Sequence, residues 1–276
     1  MSYLILGSSG QIGDALCEYY DNKNISIEKF DIVDNNFQDL RINSNTILED
    51  KIRSSEFVFF LAFDVGGSRY LKKYENTFDF VDNNVKIMSN TFELLKKYNK
   101  PFIFASSQMS NMGYSPYGQL KRIGEIYTEI LGGIVVKFWN VYGIEKDLEK
   151  SHVITDFIIK AKNKKVIDML TDGTEERQFL YSDDCCEALD TTLNNYNTIS
   201  REREIHITNH KWDTILSVAK EVTKHFPAQV IPAEKKDEVQ KNKKNEADPY
   251  ILEFWTPKTS LADGIEKIYN HYKEEK

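Results

Sequence analysis

Five short apolar runs in the first half of the chain limit its fold more than any other feature: residues 3–7 (YLILG), 25–31 (ISIEKFD), 57–62 (FVFFLA), 102–107 (FIFASS) and 134–140 (IVVKFWN). Each has strand length, and most are apolar on both faces, a pattern that suits a sheet covered on both sides. Segments of helical periodicity fill the gaps, at 12–21, 44–53, 76–98 and 117–131. Strands alternating with helices predict an α/β architecture on a parallel sheet, because parallel neighbours need a crossover between them. After Gly143 the alternation loosens. Helices are expected there at 152–163, 183–195, 212–226 and 259–273, with short strands near 166–170, 178–181, 204–209 and 228–232. The expected division is a sheet domain over 1–142 and 178–210, and a small α/β lobe from 143–177 and 211–276.

A chain of 276 residues can bury one large core and a smaller satellite. No apolar run approaches the ~20 residues of a membrane span, and the N-terminus has no basic-then-apolar leader. Three cysteines, two of them adjacent (Cys185 and Cys186), do not make a disulfide framework, so a cytoplasmic location is expected. A formal charge of −7 argues against a nucleic-acid surface but allows a local anion pocket.

The first run leads into GSSGQIG, which sets Gly7, Gly10 and Gly13 at the mouth of the first helix, with Gln11 and Ile12 between them. Gly7 allows a sharp turn and Gly10 lets a pyrophosphate approach bare backbone. Gly13 lets helix and strand pack closely, so that phosphate charge meets the helix N-terminus. The second strand ends at Asp31, 24 residues after Gly7. A carboxylate there can accept hydrogen bonds from both ribose hydroxyls and would repel a 2′-phosphate. The expected ligand is therefore NAD rather than NADP.

In SPYGQLKRIGE (115–125), Tyr117 and Lys121 lie one helical turn apart on one face. A free tyrosine has a pKa of about 10 and is a poor base at neutral pH. A neighbouring ammonium favours phenolate and would lower that value. Ser107, at the end of the preceding strand, could hold a substrate oxygen while its proton leaves, with Ser106 and Ser110 as rivals for that role.

These motifs resemble the short-chain dehydrogenase/reductase superfamily and, within it, the extended branch: the NAD-dependent epimerase/dehydratase family, which modifies nucleotide sugars. The resemblance runs nearly end to end. It implies a Rossmann-type doubly wound sheet with a substrate lobe toward the C-terminal side. GSSGQIG matches the cofactor loop, and QDLRI (38–42) matches the element, here Asp39 and Leu40, that lies near the adenine. FVFFLAFDVGG (57–67) matches the strand whose end, here Leu61 and Ala62, lines the nicotinamide side. Its Gly66 and Gly67 are similar to those of fucose-synthase and mannose-3,5-epimerase relatives, on the sugar side. DNNVKIMSNTFELL (82–95) places Asn84 at the motif asparagine of a helix that meets the cofactor, while Asn83 is read as structural. In VVKFWNVYG (135–143), Asn140 stands where relatives contact the nucleotide sugar. TDGTEERQFLYSDDCCEAL (171–189) places Arg177 where several members meet substrate phosphate, and WTPKTSLADGIEKIY (255–269) matches the closing signature of the branch. The implied partners are a nucleotide-diphosphate sugar and a second copy of the chain, paired through the tyrosine-bearing helix and the one before it. No nucleic acid, membrane or metal is expected.

Departures narrow the chemistry. Ser107 and Tyr117 are only ten residues apart, fewer than relatives commonly have, and Lys137 replaces the arginine expected before NVYG. Dehydratases of the family carry an Asp-Glu pair where Gln108 and Met109 stand, 3,5-epimerases put a cysteine at Met109, and decarboxylases use a glutamate there. What remains needs only Tyr117, Lys121, Ser107 and NAD: oxidation of a sugar hydroxyl, at carbon 4 by expectation. A 4-epimerase is the leading reading. A 4-dehydrogenase or 4-keto-sugar reductase is the alternative, and a non-catalytic NAD-binding module the reading from another class.

Some features carry less. The five histidines lack metal-ligand spacing apart from His206 and His210, which are read as packing or surface residues. One of Cys185 and Cys186 is expected to be buried and the other idle. Trp139 and Tyr142 are read equally as core or as contacts to the nucleotide base. Residues 233–248, dense in charge, are read as a solvated loop.

Overall fold

The apolar runs become neighbouring parallel strands. In the computed structural model, which describes residues 2–237 and 245–274, β1 (Tyr3–Leu6) leads through α1 (Gln11–Asn22) to β2 (Ile27–Phe30), and α2 (Thr46–Ser54) leads to β3 (Phe57–Phe60). Next, α3 (Ser68–Tyr74) and α4 (Phe78–Lys97) precede β4 (Phe102–Ser107), and α5 (Pro116–Leu131) precedes β5 (Ile134–Phe138). Then come β6 (Asn140–Tyr142), α6 (Val153–Lys164), β7 (Val166–Asp168), β8 (Glu176–Arg177), β9 (Phe179–Tyr181), α7 (Ser182–Asn194) and β10 (Ile205–Ile207). The described chain finishes with β11 (Asp213–Thr214), α8 (Ile215–His225), β12 (Gln229–Ile231) and α9 (Leu261–Glu274).

The main sheet has the order β10–β5–β4–β3–β1–β2, and every neighbouring pair is parallel. The chain moves outward from β1 to β2, then crosses back to β3 on the other side of β1. At that reversal the loops leave β1 and β3 in opposite directions, which opens a crevice at the C-terminal ends of the strands. Side-chain alternation buries both faces of the sheet. Ile5, Phe59, Ile103 and Val136 pack with Leu16 and Tyr20 of α1 and Leu189 of α7. Leu4, Leu6, Val58, Phe60 and Phe104 pack on the opposite face with Met88, Phe92 and Leu95 of α4. A third cluster, including Tyr142, Phe157, Ile167, Phe179, Val218 and Ile265, fills the space among α6, α8 and α9.

The site-bearing helix is bounded by local chemistry. Ser115 caps α5 by accepting from the Gly118 amide, Pro116 opens the first turn, and Gly132 closes the helix at φ 72°. Three expectations need correction. The strand read over 134–140 breaks at Trp139, whose amide donates to Ile207 while Asn140 turns away as β6 to pair with β9. The short helix α3 was not anticipated. Cys185 and Cys186 are both buried on α7, not one of them alone, and burial pushes both thiols up, which keeps them unreactive. No helix among the described residues is long and apolar enough to cross a membrane.

Buried Asp184 on α7 accepts from the Lys258 amide (2.9 Å), the Thr259 amide (2.7 Å) and the Thr259 hydroxyl (3.1 Å). It therefore holds the 255–260 segment that leads into α9. Asp184→Ala leaves these donors without an acceptor and is expected to lower the unfolding free energy by roughly 2–4 kcal/mol. Urea denaturation followed by circular dichroism measures it.

Candidate active site

The crevice predicted by strand order is a cleft of about 910 Å³. Its phosphate end is built by glycine. Gly7 has φ 85°, and a Cβ there would lie 2.7 Å from the Ala62 amide nitrogen at the end of β3. A Cβ on Gly13 would lie 2.0 Å from the Gly7 carbonyl oxygen, so α1 starts pressed against the strand end. Gly10, Gln11 and Ile12 line the cleft beside them, with Leu61 and Ala62 across from the loop. Gln11 reaches the second half of the molecule by donating to the Val141 carbonyl at 3.5 Å.

Asp31 lines the cleft at the end of β2, accepting from the Ser9 amide (3.0 Å) and the Val33 amide (3.0 Å). Asp39 and Leu40 lie further along. Burial works upward on the Asp39 carboxyl, but Arg41, which pairs with it at 2.8 Å, holds it below its usual range. Arg41 also donates to Asn83 (3.1 Å), and Asn83 donates to Asp64 (3.0 Å). It is Asn83 that lines the cleft. Asn84 is fully buried behind it, accepting from the Asp64 amide and donating to the Asp64 and Phe80 carbonyls. The expectation of cofactor contact at Asn84 and a structural role at Asn83 is thus reversed in placement.

At the other end, Ser107, Tyr117 and Lys121 line one wall. Burial pushes the Tyr117 phenol up to about 12, and its hydrogen bond with Ser107 works downward. The phenol therefore stands above its ordinary value, not below it, because desolvation outweighs the polar contact. Burial brings the Lys121 ammonium down to about 7, with Glu125 pulling upward. Lys121 Nζ donates to the Ala105 carbonyl (2.6 Å) and sits 3.7 Å from the centre of the Phe63 ring. Phe63 also meets Tyr117 edge to face. This aromatic wall carries no periodic signal in the sequence and was not anticipated. Of the rival serines, Ser106 donates to Glu125, and Ser110 Oγ is buried with no partner among the described residues.

The expected sugar-side residues are less gathered. Gly66 lines the cleft, while Gly67 lies against the lobe, its amide donating to the Lys150 carbonyl. Asn140 donates to the Gln178 carbonyl, and Arg177 is paired with Asp237 at 2.6 Å; neither lines the cleft. Within the charge-dense segment Asp237 and Asn245 are anchored, Asn245 by donating to the Gln108 carbonyl (2.7 Å), while Glu234, Lys235, Lys236 and Glu246 are exposed as the solvated-loop reading expects. Residues 238–244 of that segment lie outside the described residues. Trp139 lines the cleft and donates to His206 Nδ1 (3.0 Å), while Tyr142 belongs to the core of the lobe. Glu145 and His152, paired at 2.6 Å, also face the cleft and had no signal in the sequence. Among the described residues no group of three or more His, Cys, Asp or Glu side chains is arranged to hold a metal ion.

A doubly wound parallel sheet with a glycine-lined cleft at its topological reversal defines a dinucleotide-binding protein. The sequence model of the NAD dependent epimerase/dehydratase family matches residues 3–208, and the chain belongs to that family. It is 31% identical over 142 residues to a GDP-L-fucose synthase of Sinorhizobium fredii, covering 48% of this chain and 44% of that protein. It is 28% identical over 226 residues to a putative UDP-glucose 4-epimerase of Methanocaldococcus jannaschii, covering 70% of each. In structure it is similar to a UDP-glucose 4-epimerase of Thermotoga maritima (TM-score 0.83, 18% identity, 100% of this chain and 99% of that one). The family's cofactor is NAD, and the cleft suits it: Gly7 and Gly13 bring α1 close to the strand end, Gly10 leaves bare backbone at the mouth of the helix, and the Asp31 carboxylate lines the same cleft just after β2.

Gly13→Val forces helix and strand apart and is expected to weaken NAD binding at least about 100-fold, the equivalent of roughly 3 kcal/mol. Isothermal titration calorimetry on the purified chain reads this directly.

Proposed function

We propose that the protein is an NAD-dependent nucleotide-sugar 4-epimerase. The observation that carries this reading is the meeting of Ser107, Tyr117 and Lys121 on one wall of the cleft whose other end is the glycine loop. Within it, residues 1–142 and 178–210 hold the cofactor, and 143–177 with 211–276 hold the nucleotide sugar. NAD, when bound, supplies a hydride acceptor that can also return the hydride. The chain's own groups manage the oxygen and its proton. Ser107 hydrogen-bonds the carbon-4 oxygen, and Tyr117 takes the hydroxyl proton and later gives it back. Lys121, when charged, favours the phenolate, which desolvation alone disfavours. No acid or base follows Ser107, since Gln108 and Met109 stand there, so the keto sugar is not steered toward loss of water or to exchange at a neighbouring carbon. A keto sugar that turned over in the cleft would present its opposite face for reduction, and Tyr117 would return the proton to the inverted carbon-4 oxygen. Arg177 would take part in phosphate binding only after parting from Asp237. The named relatives, a GDP-L-fucose synthase and a putative UDP-glucose 4-epimerase, make GDP- and UDP-sugars the first substrates to try.

The chain acts as a homodimer in this reading. Val81 and Val85 of α4 and Ile123, Ile126 and Ile130 of α5 are exposed on two helices that pack side by side. A second copy laid across them would remove this apolar surface from water. Ile126→Glu is expected to convert dimer to monomer, read by light scattering.

Incubation with UDP-, GDP-, CDP- and dTDP-hexoses, followed by proton NMR, tests the reaction. The expected product is a carbon-4 isomer formed without added NAD; stoichiometric NADH instead would overturn the epimerase in favour of a dehydrogenase. Tyr117→Phe is expected to cut turnover about 10²–10⁴-fold while leaving NAD affinity within about twofold. Undiminished turnover would remove the phenol from the chemistry.

A further inference from the structure

Behind the wall that carries Tyr117 and Lys121 lies a cluster of charges, buried at Glu125 and Lys137 and open to solvent at Arg122 and Glu204, that the reaction does not directly use. Glu125 stands one turn beyond Lys121 on α5 and is 1% exposed. The two side chains reach successive residues of β4: Lys121 Nζ donates to the Ala105 carbonyl and Ser106 Oγ donates to Glu125. The end of β4 that presents Ser107 is thus tied to the face of α5 that presents Tyr117. Cations hold the Glu125 carboxylate from two other directions, Arg122 at 2.8 Å and Lys137 of β5 at 3.6 Å. Lys137 is 2% exposed, pairs with Glu204 at 2.6 Å and donates to Asn111 at 3.2 Å. The second contact fixes the short turn between Ser107 and Tyr117. Glu204 pairs with His206 Nε2 at 2.6 Å, and Trp139 donates to the other ring nitrogen, so the cluster ends at the cleft wall.

We propose that Glu125 is the positioning residue of the Tyr117–Lys121 pair: it ties Ser106 to α5 and presents the anion that keeps the Lys121 ammonium charged in an apolar wall. This deepens the role given to Lys121 above. An ion pair serving only to fasten β5 to α5 would need Lys137 alone. Here the carboxylate also lies on the helix face of Lys121, whose other near neighbours are the rings of Phe63, Phe104 and Tyr117 and a backbone carbonyl. Burial without an anion favours the neutral amine. Glu125 is the one charged group that raises Lys121 among the described residues. The charged groups around Glu125 itself are Arg122 and, beyond it, Glu129 of α5 (3.1 Å from Arg122), Lys137 of β5, and Glu204 with His206 at β10.

The test is the titration of Lys121 in the whole chain, followed by NMR on lysine-labelled protein and assigned by the signal missing in Lys121→Met. It requires no substrate, so it can fail while Tyr117→Phe still abolishes turnover, and the reverse. In Glu125→Gln the midpoint is expected to fall by roughly one pH unit, whereas Glu125→Asp, which keeps the charge, stays near the parent. Loss of a purely structural tie would lower thermal stability in both variants and leave the midpoint in place. An unmoved midpoint in folded Glu125→Gln overturns the proposal. If that variant does not fold, Arg122→Gln decides: its side chain is half-exposed, and removing this competing cation is expected to raise the midpoint. No rise overturns the proposal equally.

Discussion

Where α1 leaves β1, the backbones of Gly7 and Gly13 touch so closely that a single methyl group between them would sit 2.0 Å from a carbonyl oxygen. The cleft follows from that contact. It brings the amides of the first helical turn, which have no partner within the helix, to the mouth of the sheet next to the end of β3. The reversal of strand order at β1 then ensures that no crossover covers the place where these amides point. A negatively charged ligand finds there a helix N-terminus and bare backbone, which together form an anion site.

The opposite end of the cleft is governed by a contest between desolvation and a few polar contacts. Burial drives both Tyr117 and Lys121 toward their neutral forms. Against it stand the Ser107 hydroxyl on one and the Glu125 carboxylate on the other. The lysine sits where the two effects nearly balance around neutral pH, so a single buried carboxylate has leverage there that it would lack on the surface. Geometry supports this balance. Only glycine fits at 118, because a Cβ would lie 2.2 Å from the Met109 carbonyl oxygen. The ten-residue connection from Ser107 to Tyr117 can therefore close as a tight turn braced by Lys137.

Much of the architecture was legible because it is written in local periodicity. Runs such as FVFF and FIFASS can be buried on both faces only as inner strands, and glycine spacing after a first strand has few other uses. Element ends slipped by one to three residues, the most at the start of α8 (expected at 212, observed at Ile215). Larger misreadings have physical causes. Asn83 and Asn84 differ by one step of about 100° around α4, which is enough to turn one toward the cleft and the other into the protein. Trp139 looked like the penultimate residue of a continuous strand, yet pairing of Asn140 with Phe179 bends the chain there. Arg177 looked available for phosphate, but Asp237, sixty positions later, reaches its guanidinium.

The sequence by itself determined the parallel sheet, the glycine mouth, the carboxylate at the end of β2 and the one-turn spacing of Tyr117 and Lys121, since each depends on neighbours within a strand or a helical turn. Tertiary structure alone decided the protonation balance of that pair and the identity of their supports. Phe63, Glu125, Lys137 and the pair Glu204 and His206 come from four separate segments, and their effect arises from distance and burial. Coulomb energy and desolvation are properties of positions in space, and no spacing along the chain encodes them.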